Sequence, residues 1–266
     1  MTTVVCADLD RTLIYSAAAL GLEDADGPSL LCVELYQRVP QSFMLTGAAR
    51  ELAELARDTT LIPTTTRTVE QYARVQLPGP PPRYAICANG GRLLVDGVPD
   101  GDWSHHVMGL LGSCAPVEEV RAQLDPPPPF ARSVRVASGL FVYAVVVREE
   151  MPATWLAELS EWCAAREWTV SMQGRKVYCV PNQLRKSTAA AEVCRRTGAR
   201  RMLAAGDSLL DTDLLLAADA AIRPRHGELH DTGWFAPQLT VTHSSGVFAG
   251  AEIVRWLRSA ARCTVP

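Results

Sequence analysis

The stretch Val4-Val5-Cys6-Ala7-Asp8-Leu9-Asp10-Arg11-Thr12-Leu13 decides the fold, because a run of apolar residues ends abruptly in two acids. Such a run predicts a buried strand. The carboxylates of Asp8 and Asp10 repel each other unless a cation neutralises them or one of them holds a proton. The stretch therefore indicates a catalytic or metal-binding site, although a strand followed by a polar turn would also produce so short a pattern.

A second apolar run ends in acids near the other end of the chain. It is Arg201-Met202-Leu203-Ala204-Ala205-Gly206-Asp207-Ser208-Leu209-Leu210-Asp211, with two acids four residues apart. In an open parallel α/β sheet the carboxyl ends of the strands lie along one edge, where ligands bind. The two acid pairs are therefore predicted to converge. Oxygen ligands of this kind suit magnesium, and no thiolate or imidazole set in the sequence competes with them.

With these motifs the chain resembles the haloacid dehalogenase-like (HAD) hydrolase superfamily. Residues 8–12 resemble its first motif and residues 206–211 its last. The second motif, a Thr or Ser at a strand end, falls in Leu61-Ile62-Pro63-Thr64-Thr65-Thr66-Arg67, where the family often has Thr-Gly-Arg. Alignment on Arg67 selects Thr65, and the threonine on either side of it remains an alternative.

The third motif of the superfamily is a lysine that follows a strand, a proline and a turn. The stretch Tyr178-Cys179-Val180-Pro181-Asn182-Gln183-Leu184-Arg185-Lys186-Ser187 resembles this pattern and selects Lys186. Arg185 is the rival, and an ordinary exposed lysine is the alternative without function. Because the four motifs occur in order over nearly the whole chain, the resemblance is more specific than any one of them.

The resemblance implies a role for each motif residue. Asp8 would be the nucleophile that forms an aspartyl phosphate, or in the plainer alternative a metal ligand only. Asp10 would protonate the leaving alcohol and then activate water. Thr65 and Lys186 would stabilise the transferring phosphoryl oxygens.

The resemblance also implies a Mg2+ site. Its ligands would be Asp207, the carboxylate of Asp8 and the backbone carbonyl of Asp10, while Asp211 would orient that shell or bind through water. Thr12 is expected to close the turn after Asp10 by a hydrogen bond from its side chain to the backbone.

Two residues depart from the family pattern. Arg11 and Thr66 stand where these phosphatases commonly have glycine, which allows unusual backbone conformations or the close approach of a ligand. We expect Arg11 to alter the mouth of the site. The candidate substrate-binding residues are Thr12, Thr66, Arg67, Asn89, Gly90 and Arg175, with Gln173 beside the last.

The predicted fold class is α/β, with a Rossmann-like, doubly wound parallel sheet as the core and an inserted α+β cap. Residues 1–101 and 176–266 are assigned to the core and residues 102–175 to the cap. The order helix, two strands, helix, two strands resembles the α/β (C2-type) cap of the Cof-type and sucrose-phosphatase-like branch. Residues 30–35 and 43–45 are expected to form short strands beside the site.

Composition supports a folded metabolic protein. The chain has 266 residues, of which 48% are hydrophobic, enough for a sizeable core and a smaller insert. A net charge of −3 argues against nucleic acid or an anionic membrane as the partner. Eight cysteines without metal-ligand spacing read as free thiols. With no signal peptide or spanning segment in the sequence, a cytoplasmic location is expected.

These observations predict a Mg2+-dependent phosphatase of a small phosphorylated metabolite, such as a sugar phosphate. A phosphomutase of the same superfamily and a non-catalytic phosphometabolite-binding protein are the alternatives. A mere binder has no need of Asp10, which makes the last alternative the weakest.

Overall fold

The computed structural model describes residues 2–22 and 27–263. The chain forms short strands throughout, and they are numbered in chain order. The strands are β1 (Thr3–Ala7), β2 (Tyr15–Ser16), β3 (Leu30–Tyr36), β4 (Val39–Leu45), β5 (Thr60–Pro63), β6 (Tyr84–Cys87), β7 (Arg92–Val95), β8 (Val98–Pro99), β9 (Ala131–Ala137), β10 (Phe141–Val146), β11 (Trp168–Gln173), β12 (Lys176–Pro181), β13 (Arg201–Ala205), β14 (Ala220–Arg223) and β15 (Leu239–Val241).

Helices alternate with these strands. They are α1 (Thr46–Asp58), α2 (Val69–Tyr72), α3 (Gly101–Leu110), α4 (Val117–Gln123), α5 (Trp155–Ala164), α6 (Lys186–Thr197), α7 (Thr212–Ala217), α8 (Glu228–Asp231) and α9 (Gly246–Arg262). No helix among residues 2–22 and 27–263 combines the length and the apolar character needed to cross a membrane. All eight cysteines lie within those residues and are free thiols, as predicted.

The central sheet is parallel, with the strand order β15-β14-β13-β1-β5. Alternate residues of β1 point to opposite faces, so that Val5 packs with apolar residues of α1 and α9, and Cys6 with those of α6 and α7. A strand covered on both faces has to be apolar throughout, and Val4 to Ala7 are fully buried. The doubly wound core predicted from the sequence is confirmed.

The register of this sheet sets the place of the site. Ala7 lies opposite Ala205 of β13 and opposite Pro63 of β5. The three strands therefore end at the same level, and the residues that follow each of them meet at one edge of the sheet. This edge receives the acids of the first and last motifs and the threonines of the second.

A second sheet is antiparallel, with the order β11-β12-β10-β9. Helices α4 and α5 pack on one of its faces through Val120, Leu159 and Cys163. The first helix of the predicted order is two helices in the structure, α3 and α4, with a break between them. The α+β insert predicted for this part of the chain is present.

The predicted boundary between residues 175 and 176 falls in the turn of a hairpin. Strand β12 pairs with both β10 and β11 along its length, so it belongs to the antiparallel sheet and not to the core. We propose that the chain returns to the core after Pro181. The sequence was misleading here because the strand leads without interruption into the motif that carries Lys186.

A hairpin of β3 and β4 lies beside the edge of the parallel sheet that carries the acids, as predicted. Helix α1 follows β4 directly. Most of its residues that contact the sheet, such as Leu52 and Leu55, recur at helical spacing. This hairpin is important for the site because Glu34 and Ser42 project from it.

Candidate active site

Three acids converge at the edge of the parallel sheet. Asp8 follows β1, and Asp207 and Asp211 lie in the loop after β13. Each of the three buried side chains offers an oxygen within 4.8 Å of the others. The backbone N–H of Asp8 donates to the carbonyl of Ala205 at 2.9 Å, which extends the strand pairing up to Asp8.

Lys186 lies between two of these acids. It is the first residue of α6, it is fully buried, and its Nζ is 2.7 Å from Oδ1 of Asp8 and 2.5 Å from Oδ1 of Asp211. Arg185, the rival in the sequence, is exposed and donates to the carbonyl of Asn182. The geometry therefore places Lys186 at the acids and leaves Arg185 outside.

Burial makes this cluster electrostatically unusual. It raises the pKa of Asp8 to about 7, although the nearby Lys186 ammonium opposes the shift. It also raises the pKa of Asp207 well above its usual value, with Asp8 and Asp211 adding to the effect. Burial lowers the pKa of Lys186, but Asp211 and Asp8 outweigh it and the net shift is upward. Three carboxylates thus share one ammonium.

The cluster could hold a divalent cation. All three side chains offer oxygen atoms, which is the donor set that Mg2+ prefers. Asp207 contacts only one cation among the described residues, Arg11, with Nε at 3.5 Å from its Oδ2. A divalent cation would stabilise the ionised forms of Asp8 and Asp207, which burial disfavours.

The loop after β13 is shaped by Asp211. Its Oδ2 accepts hydrogen bonds from the backbone N–H groups of Asp207 and Ser208 and from the Ser208 hydroxyl, at 2.8–3.2 Å. At Gly206 a Cβ atom would come within 2.5 Å of the Asp211 side chain. Asp211 can therefore turn one oxygen to Lys186 and use the other to fold its own loop.

Asp10 has a different environment from Asp8. Its side chain is 42% exposed, and Arg67 binds both of its oxygens, with Nε and Nη2 each at 2.7 Å. Burial acts to raise the pKa of Asp10, but the charge and hydrogen bonds of Arg67 outweigh it and lower the pKa. The Asp10 carboxylate thus belongs to a separate ion pair and is held in its ionised form.

Arg67 connects Asp10 to the β3–β4 hairpin. Its Nη1 is 2.9 Å from Oε1 of Glu34, and the Ser42 hydroxyl donates to the other oxygen of Glu34 at 2.6 Å. Arg74 is a further partner of Glu34, at 3.3 Å. Sequence reasoning placed Arg67 at the site but missed Glu34, whose one signal is an acid inside an otherwise apolar strand.

The three threonines of the second motif differ in their hydrogen bonds. The Thr64 hydroxyl donates to the carbonyl of Ile62 at 3.0 Å. The Thr65 hydroxyl accepts from the backbone N–H of Arg67 at 3.1 Å, which leaves its own hydrogen free to donate. Thr66 is buried beside them. The hydroxyl of Thr65 can therefore donate to a ligand, whereas that of Thr64 is engaged by Ile62.

The turn after Asp10 is not closed as predicted. Backbone N–H groups of Thr12, Leu13 and Ile14 all donate to the carbonyl of Leu9, at 2.9–3.2 Å. The Thr12 hydroxyl is buried without a hydrogen-bond partner among the described residues. The expectation that the Thr12 side chain closes the turn was wrong, because the backbone itself satisfies these groups.

Arg11 adopts the left-handed conformation that glycine favours, with φ 63°. Its carbonyl interacts with Nε2 of His226 at 2.8 Å, and Nδ1 of His226 accepts from the backbone N–H of Gly246 at 3.1 Å. Nε2 therefore carries the hydrogen and donates. Burial lowers the pKa of His226 to about 4, so the neutral ring holds the carbonyl of this strained residue at neutral pH.

Asn89 and Gly90 contact the segment that leads into Lys186. The amide of Asn89 donates to the carbonyl of Leu184 at 2.8 Å. Gly90 has φ +90°, and a Cβ there would lie 2.3 Å from the carbonyl oxygen of Arg185. Both residues lie against the segment that leads into Lys186, and the backbone N–H of Asn89 also donates to the carbonyl of Thr65 at 3.0 Å.

On the antiparallel sheet, Lys176 is close enough to Asp10 for the charge of Asp10 to affect its pKa. The pKa of Lys176 is raised, chiefly by Tyr178 and further by Asp10, against the effect of burial. Its Nζ lies 5.7 Å from the ring centroid of Tyr143. Arg175, which the sequence reasoning selected, is exposed in the adjacent turn. The signal that was missed is the alternation of Lys176 and Tyr178, which puts both on one face of β12.

Known structures share this architecture. The sucrose-phosphatase of Synechocystis sp. PCC6803 has 15% sequence identity and a TM-score of 0.66, over 97% of this chain and 99% of that one. A sugar phosphatase of HAD subclass IIB has 12% identity and a TM-score of 0.58, over 98% and 100%. The C-terminal domain of the C. albicans trehalose-6-phosphate phosphatase has 11% identity and a TM-score of 0.57, over 97% and 93%.

The fold is that of the HAD superfamily phosphatases. At the level of sequence, no family model and no curated protein matches the chain. The likeness to HAD phosphatases is thus one of architecture, and it extends over both the parallel core and the antiparallel insert.

The contact of Gly90 with the lysine loop gives a stability prediction. We expect Gly90→Ala to lower the free energy of unfolding by about 2–5 kcal/mol, because a left-handed alanine costs about 1–2 kcal/mol and overpacking adds about 1–3 kcal/mol. Gly97→Ala is the control, since Gly97 has φ +81° but no atom near its Cβ position. It should show the backbone cost alone. If urea unfolding showed the same loss of free energy of unfolding in Gly90→Ala and Gly97→Ala, the collision with Arg185 would be refuted.

Proposed function

We propose that the chain is a Mg2+-dependent phosphatase that hydrolyses a small phosphorylated metabolite through an aspartyl phosphate. The observation that carries the proposal is the buried cluster in which Lys186 bridges Asp8 and Asp211 while Asp207 completes a set of oxygen ligands. A core that needed only stability would not bury three acids around one lysine. A phosphoryl-transfer site needs such an arrangement, because its catalysis depends on positioning and on charge.

In the first step, an oxygen of Asp8 would attack phosphorus and the bond from phosphorus to the ester oxygen would break. Lys186, already 2.7 Å from Asp8, would hold the negative charge of the phosphoryl oxygens beside the nucleophile. Thr65 would donate its free hydroxyl hydrogen to the same group. Mg2+, when bound by Asp8 and Asp207 with Asp211 behind them, would supply positive charge to the phosphoryl group.

In the second step, water would attack phosphorus and release phosphate and Asp8. The pairing with Arg67 keeps Asp10 ionised, which is the form that accepts the proton of the attacking water. In the first step Asp10 would have to carry a proton to the leaving alcohol. Because Arg67 opposes that protonation, we expect departure of the alcohol to be the more demanding of the two proton transfers.

The leaving group would lie beside Lys176, whose pKa is raised by Tyr178 and by Asp10 and which shares one face of the antiparallel sheet with Tyr143 and Tyr178. An aromatic and hydrogen-bonding surface of this kind suits a polyhydroxyl leaving group. Three structural neighbours are named as phosphatases of sucrose phosphate, of sugars and of trehalose-6-phosphate. A sugar phosphate or a related phosphoester is therefore the substrate class that we propose, with no role for nucleic acid or membrane.

Removal of the nucleophile tests the proposed reaction. We expect Asp8→Asn to reduce Mg2+-dependent phosphate release from a panel of sugar phosphates at least about a thousandfold, because the amide cannot form the phosphoenzyme. Asp102→Asn, which changes an exposed acid, should retain wild-type rates. Residual turnover of Asp8→Asn near the wild-type rate would exclude Asp8 as nucleophile, and transfer of phosphate to a second sugar position instead of water would identify a mutase.

Replacement of Asp10 separates the two steps. We expect Asp10→Asn to slow steady-state turnover by about a hundredfold to ten-thousandfold, the usual contribution of proton transfer. Protein phosphorylated on Asp8 should accumulate with an activated aryl phosphate, whose leaving group needs no proton, and intact-mass spectrometry would detect it. Unchanged turnover in this variant would contradict the acid/base role of Asp10.

The acid cluster predicts how Mg2+ and pH affect stability. Asp8 has a pKa of about 7 in the folded chain and about 4 when unfolded. Without metal, its contribution to the free energy of unfolding therefore falls as pH rises from about 4 to 7, because the unfolded chain loses this proton first. Mg2+ binds the ionised form, and it should therefore raise Tm more at pH 8 than at pH 5. Asp207→Asn should abolish the Mg2+ shift and Asp102→Asn should keep it. A shift that is equal at both pH values would argue against this site.

A further inference from the structure

Glu228 connects the antiparallel sheet to the loop that carries Asp207 and Asp211. It is the first residue of α8, and its carboxylate accepts three hydrogen bonds. Two donors come from β11, the backbone N–H of Met172 at 2.9 Å and the hydroxyl of Ser171 at 2.6 Å. The third is the backbone N–H of Leu209 at 2.9 Å. One side chain thus spans both parts of the molecule.

The third donor, the backbone N–H of Leu209, lies in the middle of the loop that carries Asp207 and Asp211. Leu209 stands two residues after Asp207 and two before Asp211. The neighbours of Glu228 hold the same loop, since the backbone N–H of Leu229 donates to the carbonyl of Asp207 at 3.0 Å. A Cβ at Gly227 would lie 2.5 Å from Oδ2 of Asp207. Residues 227–229 therefore pack against one side of the loop that carries Asp207 and Asp211.

The donors from the sheet lie between two other features of the same surface. Strand β11 is paired with β12 so that Ser171 is opposite Tyr178 and Gln173 is opposite Lys176, the residue whose pKa is raised by Tyr178 and by Asp10. Toward the other end, Thr169 lines a cavity of 370 Å³ next to Leu209 and Asn182. Glu228 is therefore placed where the antiparallel sheet comes against the loop, between the catalytic end and the point where the chain returns to the core.

We propose that Glu228 is a positioning residue that couples the antiparallel sheet to the loop of Asp207 and Asp211. Through its bonds to the sheet, Glu228 fixes the Leu209 backbone and thereby the two acids on either side of it. The proposal rests on the proposed function only where it concerns Mg2+ binding. The coupling itself is a property of the fold.

The chemistry of the contact requires a carboxylate. The backbone N–H groups of Met172 and Leu209 point to different oxygens of Glu228, Oε1 and Oε2 respectively. Both groups are donors, so each needs an acceptor. In Glu228→Gln one of the two would face an amide NH2 group. The variant keeps the size of the side chain but can satisfy either the sheet or the loop, and not both together.

Amide hydrogen exchange measured by NMR on the intact chain tests the coupling without any assumption about activity. In Glu228→Gln we expect the amides of both Met172 and Leu209 to exchange at least about tenfold faster than in the wild type, because the amide oxygen accepts from only one of them at a time and the remaining bond is no longer to a charged group. Asp231→Asn is the matched control, because it removes a negative charge from the exposed side of the same helix. It should leave both amides unchanged.

Ser171→Ala is the second variant, and it removes only one bond on the side of the sheet. We expect faster exchange at Met172 and, through Glu228, a smaller increase at Leu209. Faster exchange at Met172 with wild-type exchange at Leu209 in both variants would overturn the coupling. Wild-type exchange of both amides in Glu228→Gln would overturn it as well.

A readout of metal binding distinguishes positioning from a general loss of stability. In Glu228→Gln the Mg2+ concentration that gives half of the Tm shift should rise at least about threefold, whereas Asp231→Asn should not change it. If the wild type releases no phosphate from any substrate, the proposed function fails, and the exchange data still decide the role of Glu228. An unchanged Mg2+ midpoint in Glu228→Gln would refute the claim that Glu228 positions the loop.

Discussion

The structure depends on one interaction, the contact of the buried Lys186 ammonium with the carboxylates of Asp8 and Asp211. A lysine without solvent is stable in its charged form only if acids surround it. Strand β1 must therefore end level with β13, and α6 must begin beside both. Gly90 contributes to this placement, because only glycine lets the chain press so closely on the segment before the lysine.

The second constraint is that the pKa values of two acids in one short motif are shifted in opposite directions. Burial raises the pKa of Asp8, while Arg67 lowers that of Asp10. Environments that move two pKa values apart usually give two neighbouring acids different roles, here the proposed nucleophile Asp8 and the proposed acid/base Asp10. Because Arg67 is in turn held by Glu34, the β3–β4 hairpin takes part in setting the charge of Asp10. A segment outside the four motifs thus contributes to their chemistry.

The sequence predicts the backbone of the site better than its side-chain contacts. Strand ends that carry Asp8 and Asp207 can be found because apolar runs and the rules of parallel sheets fix their positions. The partners of Arg67, Lys176 and Glu228 could not be found in that way. Their contacts depend on which face of a strand each residue occupies and on how separate parts of the chain pack. The prediction for the Thr12 side chain was wrong for a related reason, since the backbone hydrogen bonds of a turn can be made in several ways.

The proposed reaction requires a phosphoryl group to bind between Asp8 and Lys186. The most direct measurement is a crystal structure of the protein with Mg2+ and orthovanadate, which mimics phosphorus under attack. We expect vanadium within bonding distance of a carboxylate oxygen of Asp8, a vanadate oxygen beside Nζ of Lys186, and Mg2+ bound by Asp8 and Asp207. Vanadate bound away from Asp8, with Lys186 still enclosed between Asp8 and Asp211, would contradict the account.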